Sequence, residues 1–247
     1  MNIPWLEDNS PLPQPEFAQK TGTHLAGLVA AGGTLSATRL CEAYRQGIFP
    51  WFSQGQPVLW WSPDPRMVLR TQDFKLHASF RKTLQKFIVN PRCEIRIDSA
   101  FDKVIRSCAQ TQRKGQPGTW IVTEMVEAYE ALHALGYAHS VETWVDGALV
   151  GGLYCVSIGA TLFGESMFAL QTDASKIALA ALVAFARSHG LDWIDCQQNT
   201  KHLASLGAKE IPRTEFLNLV REASSEIRYE WIFKLSYWQT LLPAIHT

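Results

Sequence analysis

The sequence predicts an α/β (α+β) protein in two parts: a small N-terminal domain over residues 1–63 and a larger mixed-sheet domain over residues 64–247. Three observations carry this reading. Three β-rich runs follow one another at Ala138–Val145, Ala148–Ile158 and Ala160–Phe168, separated by the turn signals Asp146-Gly147 and Gly159. An apolar helical pattern at Ala174–Ser188 then leads into a short strand at Leu191–Cys196. Upstream, three Trp and two Phe crowd into residues 48–61, and Ser62-Pro63-Asp64-Pro65 reads as a domain boundary.

The elements follow in order. The first twenty residues hold Pro4, Pro11, Pro13 and Pro15 and read as an irregular lead-in. Residues 36–47 form one helix, with Ser36 as N-cap and Gly47 as its stop. Ile48-Phe49-Pro50-Trp51-Phe52 and Trp60-Trp61 are poor helix material and predict a rigid aromatic turn region. Helical patterns recur at 78–88, 99–109, 123–135 and 213–222. Asp173 is placed to cap the 174–188 helix, whose buried side carries Ile177, Leu179, Leu182, Val183 and Phe185.

Composition narrows the function. At 247 residues with 47% hydrophobic and 19% charged content, the chain buries an ordinary core without metal or disulfide help. The longest apolar run, Ile177–Ala186, is half a membrane span, so no transmembrane helix is expected. The first eight residues lack the pattern of an export signal, and the five scattered cysteines form no C-x-x-C or Cys/His cluster. Reduced thiols in the cytoplasm and no zinc are therefore expected.

Net charge is zero, but the charges are uneven along the chain. Residues 75–114 hold ten basic and three acidic side chains, a net of +7; residues 124–173 hold seven acidic and no basic ones, a net of −7. This predicts two electrical territories, one suited to a polyanion and one to a cation, against the plainer reading of solvated helix faces.

No phosphate-binding loop, G-x-S-x-G elbow or H-E-x-x-H motif is present. What remains are residues at strand ends and loops. Asp195 and Gln197 are two apart at the end of a strand, so both project from one face with Cys196 on the other. A carboxylate beside an amide can hold an amine, or can simply satisfy a strand end. Glu165, in Gly164-Glu165-Ser166-Met167-Phe168, puts a carboxylate into an apolar strand, which calls for a partner. Trp51 and Trp120 sit in Pro- and Gly-flanked segments and can stack on a base or belong to the core. Cys196 has no His beside it in any nucleophile motif.

The segments Tyr44–Phe52, Trp60–Arg66, Gly118-Thr119-Trp120-Ile121, Ala138–Glu142, Leu149–Tyr154, Gly164–Phe168, Asp173–Lys176, Ile194–Gln197 and His202–Ala208 together closely resemble the leucyl/phenylalanyl-tRNA–protein transferases. The tail after about Ser224 carries no matching motif, and Leu162-Phe163, Cys155 and Ala169 depart from the common pattern. The resemblance implies a cytoplasmic enzyme that moves Leu or Phe from aminoacyl-tRNA to proteins beginning with Arg or Lys, without a cofactor. It implies a C-terminal GNAT-like (acetyltransferase-like) domain. It implies Asp195 and Gln197 as the catalytic pair, and Trp51 and Trp120 near the terminal adenosine. Leu153, Met167 and, less directly, Leu162 would line the aminoacyl pocket, and Glu165 would lie near the acceptor peptide. Arg81, Lys82 and Lys86, from the basic block, would then contact tRNA phosphates. Gln197 would position the amine, and Asp195 or an adenosine hydroxyl would take the proton.

Two other readings stand beside this one: an acetyl-CoA-dependent N-acetyltransferase and a non-catalytic RNA-binding module. The first needs a glycine-rich turn before the 174–188 helix, where the chain has Ala169–Lys176. The second leaves Glu165 and the Asp195/Gln197 pair without a purpose. No heptad or self-pairing stripe appears, so a monomer is expected.

Overall fold

A computed structural model describes residues 3–20, 22–23, 25–111, 121–223 and 228–243. It begins with β1 (Trp5–Leu6), β2 (Leu28–Gly32) and α1 (Ala37–Arg45). Ser36 caps α1 by accepting from the Arg39 amide, and Gly47 ends the segment at φ 70°. A side chain on Gly47 would meet Leu217 at 2.7 Å and Phe216 at 2.9 Å, so the turn needs glycine for space as well as for φ.

The aromatic region differs from expectation. It is a ladder, not a turn: β3 (Phe49–Pro50) pairs antiparallel with β4 (Leu59–Trp61). The indoles decide this, because a buried N–H needs an acceptor. Trp60 Nε1 donates to Gly32 O at 3.0 Å and Trp61 Nε1 to Trp51 O at 2.7 Å. The four strands lie in the order β1-β2-β4-β3.

The chain continues through β5 (Arg66–Arg70), α2 (Ala78–Val89), β6 (Cys93–Ile97), α3 (Phe101–Gln110) and α4 (Thr123–Ala134). Then come β7 (Ala138–Val145), β8 (Ala148–Ile158), β9 (Thr161–Ala169), α5 (Ala174–Ser188), β10 (Trp193–Gln197), α6 (Lys201–Ser205), β11 (Lys209–Ile211) and α7 (Arg213–Glu222). Strands β5 to β11 form one mixed sheet in the order β11-β5-β10-β9-β8-β7-β6, with β9 and β10 parallel and the other pairs antiparallel. The expected mixed α/β class and the β7–β8–β9 meander are therefore observed.

The sheet is buried on both faces. Phe163 and Trp193 pack with α1, α3, α4 and α7 on the side of the N-terminal sheet. Leu162, Ile194 and Cys196 pack with α2, α5 and Trp238 on the other. Helix α5 is not the one-sided helix expected: every residue from Ile177 to Ala186 is buried. It lies between the sheet and the 235–240 turn, so its whole circumference is covered. Gly151 on β8 makes room for its first turn, since a Cβ there would stand 2.5 Å from that of Ala174. Asp173 does not cap α5 with its side chain; it sits at φ 63° and pairs with Lys176 at 2.7 Å. Among the described residues, no helix is long and apolar enough to cross a membrane.

Candidate functional site

The site is made by two neighbouring strands that each carry one residue too many. On β9, Ser166 pairs with Tyr154 and Gly164 with Cys155, which leaves Glu165 as the extra residue. On β10, Asp195 pairs with Val68 and Gln197 with Met67, which leaves Cys196 over. Such bulges bend a strand and re-aim its side chains. The β9–β10 ladder runs through Ile194–Leu162 and Asp195–Phe163, and the strands part beyond it. Gln197, at φ 58°, reaches across the gap: its Nε2 donates to Glu165 Oε1 at 2.9 Å.

The expected shared face of Asp195 and Gln197 is interrupted by the bulge between them, which sets them opposite Val68 and Met67, and their environments differ sharply. Asp195 is wholly buried and receives Arg66 Nε at 2.8 Å and Arg66 Nη2 at 2.6 Å. It also accepts from the Gln197 amide at 2.9 Å, which ties down the bulge. Arg66 is equally buried, lies between the rings of Phe49 and Phe216 at 4.8 and 4.3 Å, and donates to Gly47 O at 3.2 Å. A bidentate pair with further hydrogen bonds offsets the cost of taking both ions out of water. Asp195 thus anchors the strand end: its oxygens receive Arg66 and the Gln197 amide, and of the two expected proton acceptors, Asp195 and an adenosine hydroxyl, it is the one held away from solvent.

Glu165 is the buried acid of the gap. Tyr129 donates to its Oε2 at 3.3 Å, and Tyr44 and Tyr129 share a buried hydroxyl–hydroxyl hydrogen bond. Burial pushes its carboxyl up to about 8; the hydrogen bond with Tyr44 opposes this, and the Asp195 charge adds to it. Both tyrosines are held well above their ordinary range, first by burial and then by the Glu165 charge, so they remain donors. The Cys196 thiol is pushed up by burial in the opposite core. A nucleophilic thiolate there is disfavoured.

The other expected residues are divided between the two faces. Trp51 is half-buried on the N-terminal-sheet side, its ring 5.6 Å from that of Trp61. Leu153, Leu162 and Met167 lie on the α5 side, with Leu153 directly opposite Met167. Strict alternation would give Glu165 and Met167 one face; the bulge at Glu165 separates them. Trp120 lies outside the described residues.

The two electrical territories are not separate. Strand β6 from the basic block lies beside β7 from the acidic one. Arg92 pairs with Asp146 at 3.3 Å and Arg106 with Glu130 at 2.7 Å. Glu142 is buried among Ser140, the Ala100 amide and Trp144 Nε1. Counts along the chain ignore sheet pairing, and pairing interleaves the blocks. Arg81, Lys82 and Lys86 are exposed on α2 and make no ion pair among the described residues.

Sequence reasoning missed Arg66, Tyr44 and Tyr129. It also missed the Asp98/His133/His139 cluster, whose donor atoms lie within 4.8 Å of one another. There His139 faces Asp98 Oδ2 at 2.7 Å and Gly136 O at 3.2 Å, and His133 faces Ala138 O at 2.7 Å. Both ring nitrogens of His139 are already engaged, so the cluster holds the β7 strand to the turn before it.

Known proteins match this chain over most of its length. A family model described as leucyl/phenylalanyl-tRNA protein transferase matches residues 68–221, and one for its N-terminal domain matches residues 33–64. The leucyl/phenylalanyl-tRNA–protein transferase of Polaromonas sp. is 59% identical over 242 residues, 98% of this chain and 95% of that protein. That of Albidiferax ferrireducens is 55% identical over 240 residues, 97% of this chain and 94% of that protein. Among solved structures, a GCN5-related N-acetyltransferase from Kribbella flavida is a distant likeness, with a TM-score of 0.32 and 9% identity over 68% of this chain and 58% of that one. The bulged strands, the Glu165–Gln197 bridge and the Arg66–Asp195 anchor fall within the longer match or just ahead of it, and over half the positions are shared across nearly the full length: the chain belongs to the leucyl/phenylalanyl-tRNA–protein transferase family.

Proposed function

We propose that this chain is an aminoacyltransferase that moves Leu or Phe from aminoacyl-tRNA to the α-amino group of proteins beginning with Arg or Lys, in the cytoplasm and as a step toward their degradation. The observation that carries the reading is the Glu165–Gln197 bridge across the parted strands, fixed by the Arg66–Asp195 pair. An aminoacyl ester is already activated, so the protein supplies alignment, a neutral amine and charge stabilisation.

The geometry supports the following roles. Gln197 Nε2 is engaged with Glu165, which turns the amide carbonyl oxygen to the amine as an acceptor. Glu165 titrates near about 8, close to the 7.7–8.0 of an α-amine, so the proton can pass between them at little cost. The freed nitrogen attacks the ester carbonyl carbon. The bond to the ribose oxygen breaks, and that oxygen leaves with the proton the attacking nitrogen gives up on becoming an amide. Asp195 positions Gln197 and keeps negative potential near the cationic terminus.

Trp51 is assigned to the terminal adenosine, where stacking contributes about 1–3 kcal/mol. Half-buried Met167 is assigned to the movable wall of the apolar pocket for the transferred residue; Leu153 and Leu162 stand behind it as core residues of the α5 side. The exposed Arg81, Lys82 and Lys86 are assigned to tRNA phosphates. Incubating the protein with Phe-tRNA and an Arg-initial peptide, then weighing the peptide, tests the reading. A mass gain of one phenylalanyl residue is expected. Acetyl gain from acetyl-CoA, or RNA binding with no transfer, would replace it with one of the two other readings.

A further inference from the structure

A cleft lies away from the Glu165–Gln197 bridge. It has a volume of about 700 Å³ and runs between the edge of the N-terminal sheet and α4. Trp5, Gly32, Phe52 and Val58 line one side, and Glu124 and Glu127 the other. Trp5 is 63% exposed, and its ring lies against Gly32, whose φ of 87° and close approach to the Leu6 carbonyl oxygen already call for glycine. A large apolar side chain left in water at the rim of a cleft is a surface suited to contact.

The charge on the cleft is one-sided. Of the seven acids between residues 124 and 173, Asp146, Glu130 and Asp173 are ion-paired, while Glu142 and Glu165 are buried and hydrogen-bonded. Glu124 and Glu127 are exposed, make no ion pair among the described residues, and both face this cleft, which no basic side chain of the described residues lines. The helix dipole accounts for Glu124, in the first turn of α4, but not for Glu127 one turn on. Two like charges three apart on a helix repel unless something cationic is shared between them.

We infer that the cleft binds the acceptor protein itself, as an extended basic stretch downstream of its first residue; this rests on the transferase reading. Helix α4 joins the two places: Tyr129 on one side reaches Glu165, while Ala128 and the two glutamates on the other line the cleft. Passing round a helix of about 10–12 Å diameter takes roughly five residues of extended chain at about 3.3 Å each. The cleft therefore reads positions near 5 to 8 of the acceptor. Apolar stems of Lys or Arg lie on Trp5 and Phe52 while their heads meet the carboxylates.

The test compares three acceptors: an Arg-initial dipeptide amide, an Arg-initial decapeptide with lysines at positions 5–8, and the same decapeptide with glutamates there. With wild-type protein the lysine decapeptide has the lowest KM. In E124K/E127K its KM rises about ten-fold relative to the dipeptide's, and the glutamate decapeptide becomes the better of the two long acceptors. Equal use of both decapeptides by wild type, or a KM ratio unmoved by E124K/E127K, overturns the inference. An N-acetylated lysine decapeptide, which cannot accept, is titrated calorimetrically in parallel. Binding that is lost in E124K/E127K supports the cleft, and no binding overturns it, whatever the transfer assay gives. Absence of transfer to the dipeptide by wild type overturns the transferase reading alone.

Discussion

Arg66 and Asp195 meet as a bidentate pair, 2.6 and 2.8 Å apart, with neither side chain reaching solvent. The pair joins β5 to β10 next to the bulge that carries Gln197, so it sets the geometry of the gap as well as its charge.

Removing one partner leaves the other charged and buried. Arg66→Met is expected to destabilise the protein by about 3–5 kcal/mol, and Asp195→Leu by a similar amount, whereas the double variant loses less than the sum. Urea denaturation of the four proteins measures the coupling. Additive losses would show that the two side chains act independently.

Glu165 makes stability depend on pH. Its folded-state carboxyl titrates near about 8, above the ordinary value of 4.5, so between these limits the native protein holds a proton that the unfolded chain has released. The contribution is fully present below about 4.5 and is lost as pH rises through 8, a decline of a few kcal/mol at most. Glu165→Gln is expected to flatten this slope between pH 5.5 and 8.5 in denaturation midpoints. It should also lower kcat by about 100-fold or more, with the alkaline dependence of the rate removed.

Tyr129→Phe removes the hydroxyl between Tyr44 and Glu165. Burying Glu165 with one donor fewer raises its carboxyl further and costs about 1–3 kcal/mol. The rate profile should move to higher pH with little change in donor KM. An unmoved profile would place the tyrosine pair outside proton handling.

Trp51→Ala is expected to weaken donor binding by about 10- to 100-fold, the worth of one stacked base. The acceptor KM should change much less, and gel-shift affinity for Phe-tRNA measures the difference.

Charge reversal at Arg81 and Lys82 removes two exposed cations from α2. The slope of log K against log salt for tRNA binding should become shallower by about 2, roughly one for each phosphate that is no longer neutralised. An unchanged slope would clear that helix of any role in holding tRNA.

The local pattern of the chain was readable where period and caps agree. Ala138–Val145, Ala148–Ile158 and Ala174–Ser188 stand where alternation and helical period put them. The site was readable only in part. Glu165, Asp195 and Gln197 stand out as polar residues in apolar strands, but Arg66 and Tyr129 are brought to them from 129 and 36 positions away. The charge blocks misled for the same reason, since β6 beside β7 neutralises in space what the chain separates in sequence. Nor does alternation foresee the bulges, which put Glu165 and Met167 on opposite faces.

Those two surplus residues make the chemistry depend on chain length more than on side-chain identity. Deleting Cys196 alone would leave every named acid, amide and tyrosine in the protein. It would also return β10 to plain register with β5 and re-aim Gln197 away from Glu165. Function here is in part a matter of spelling: one letter fewer moves an amide without changing it.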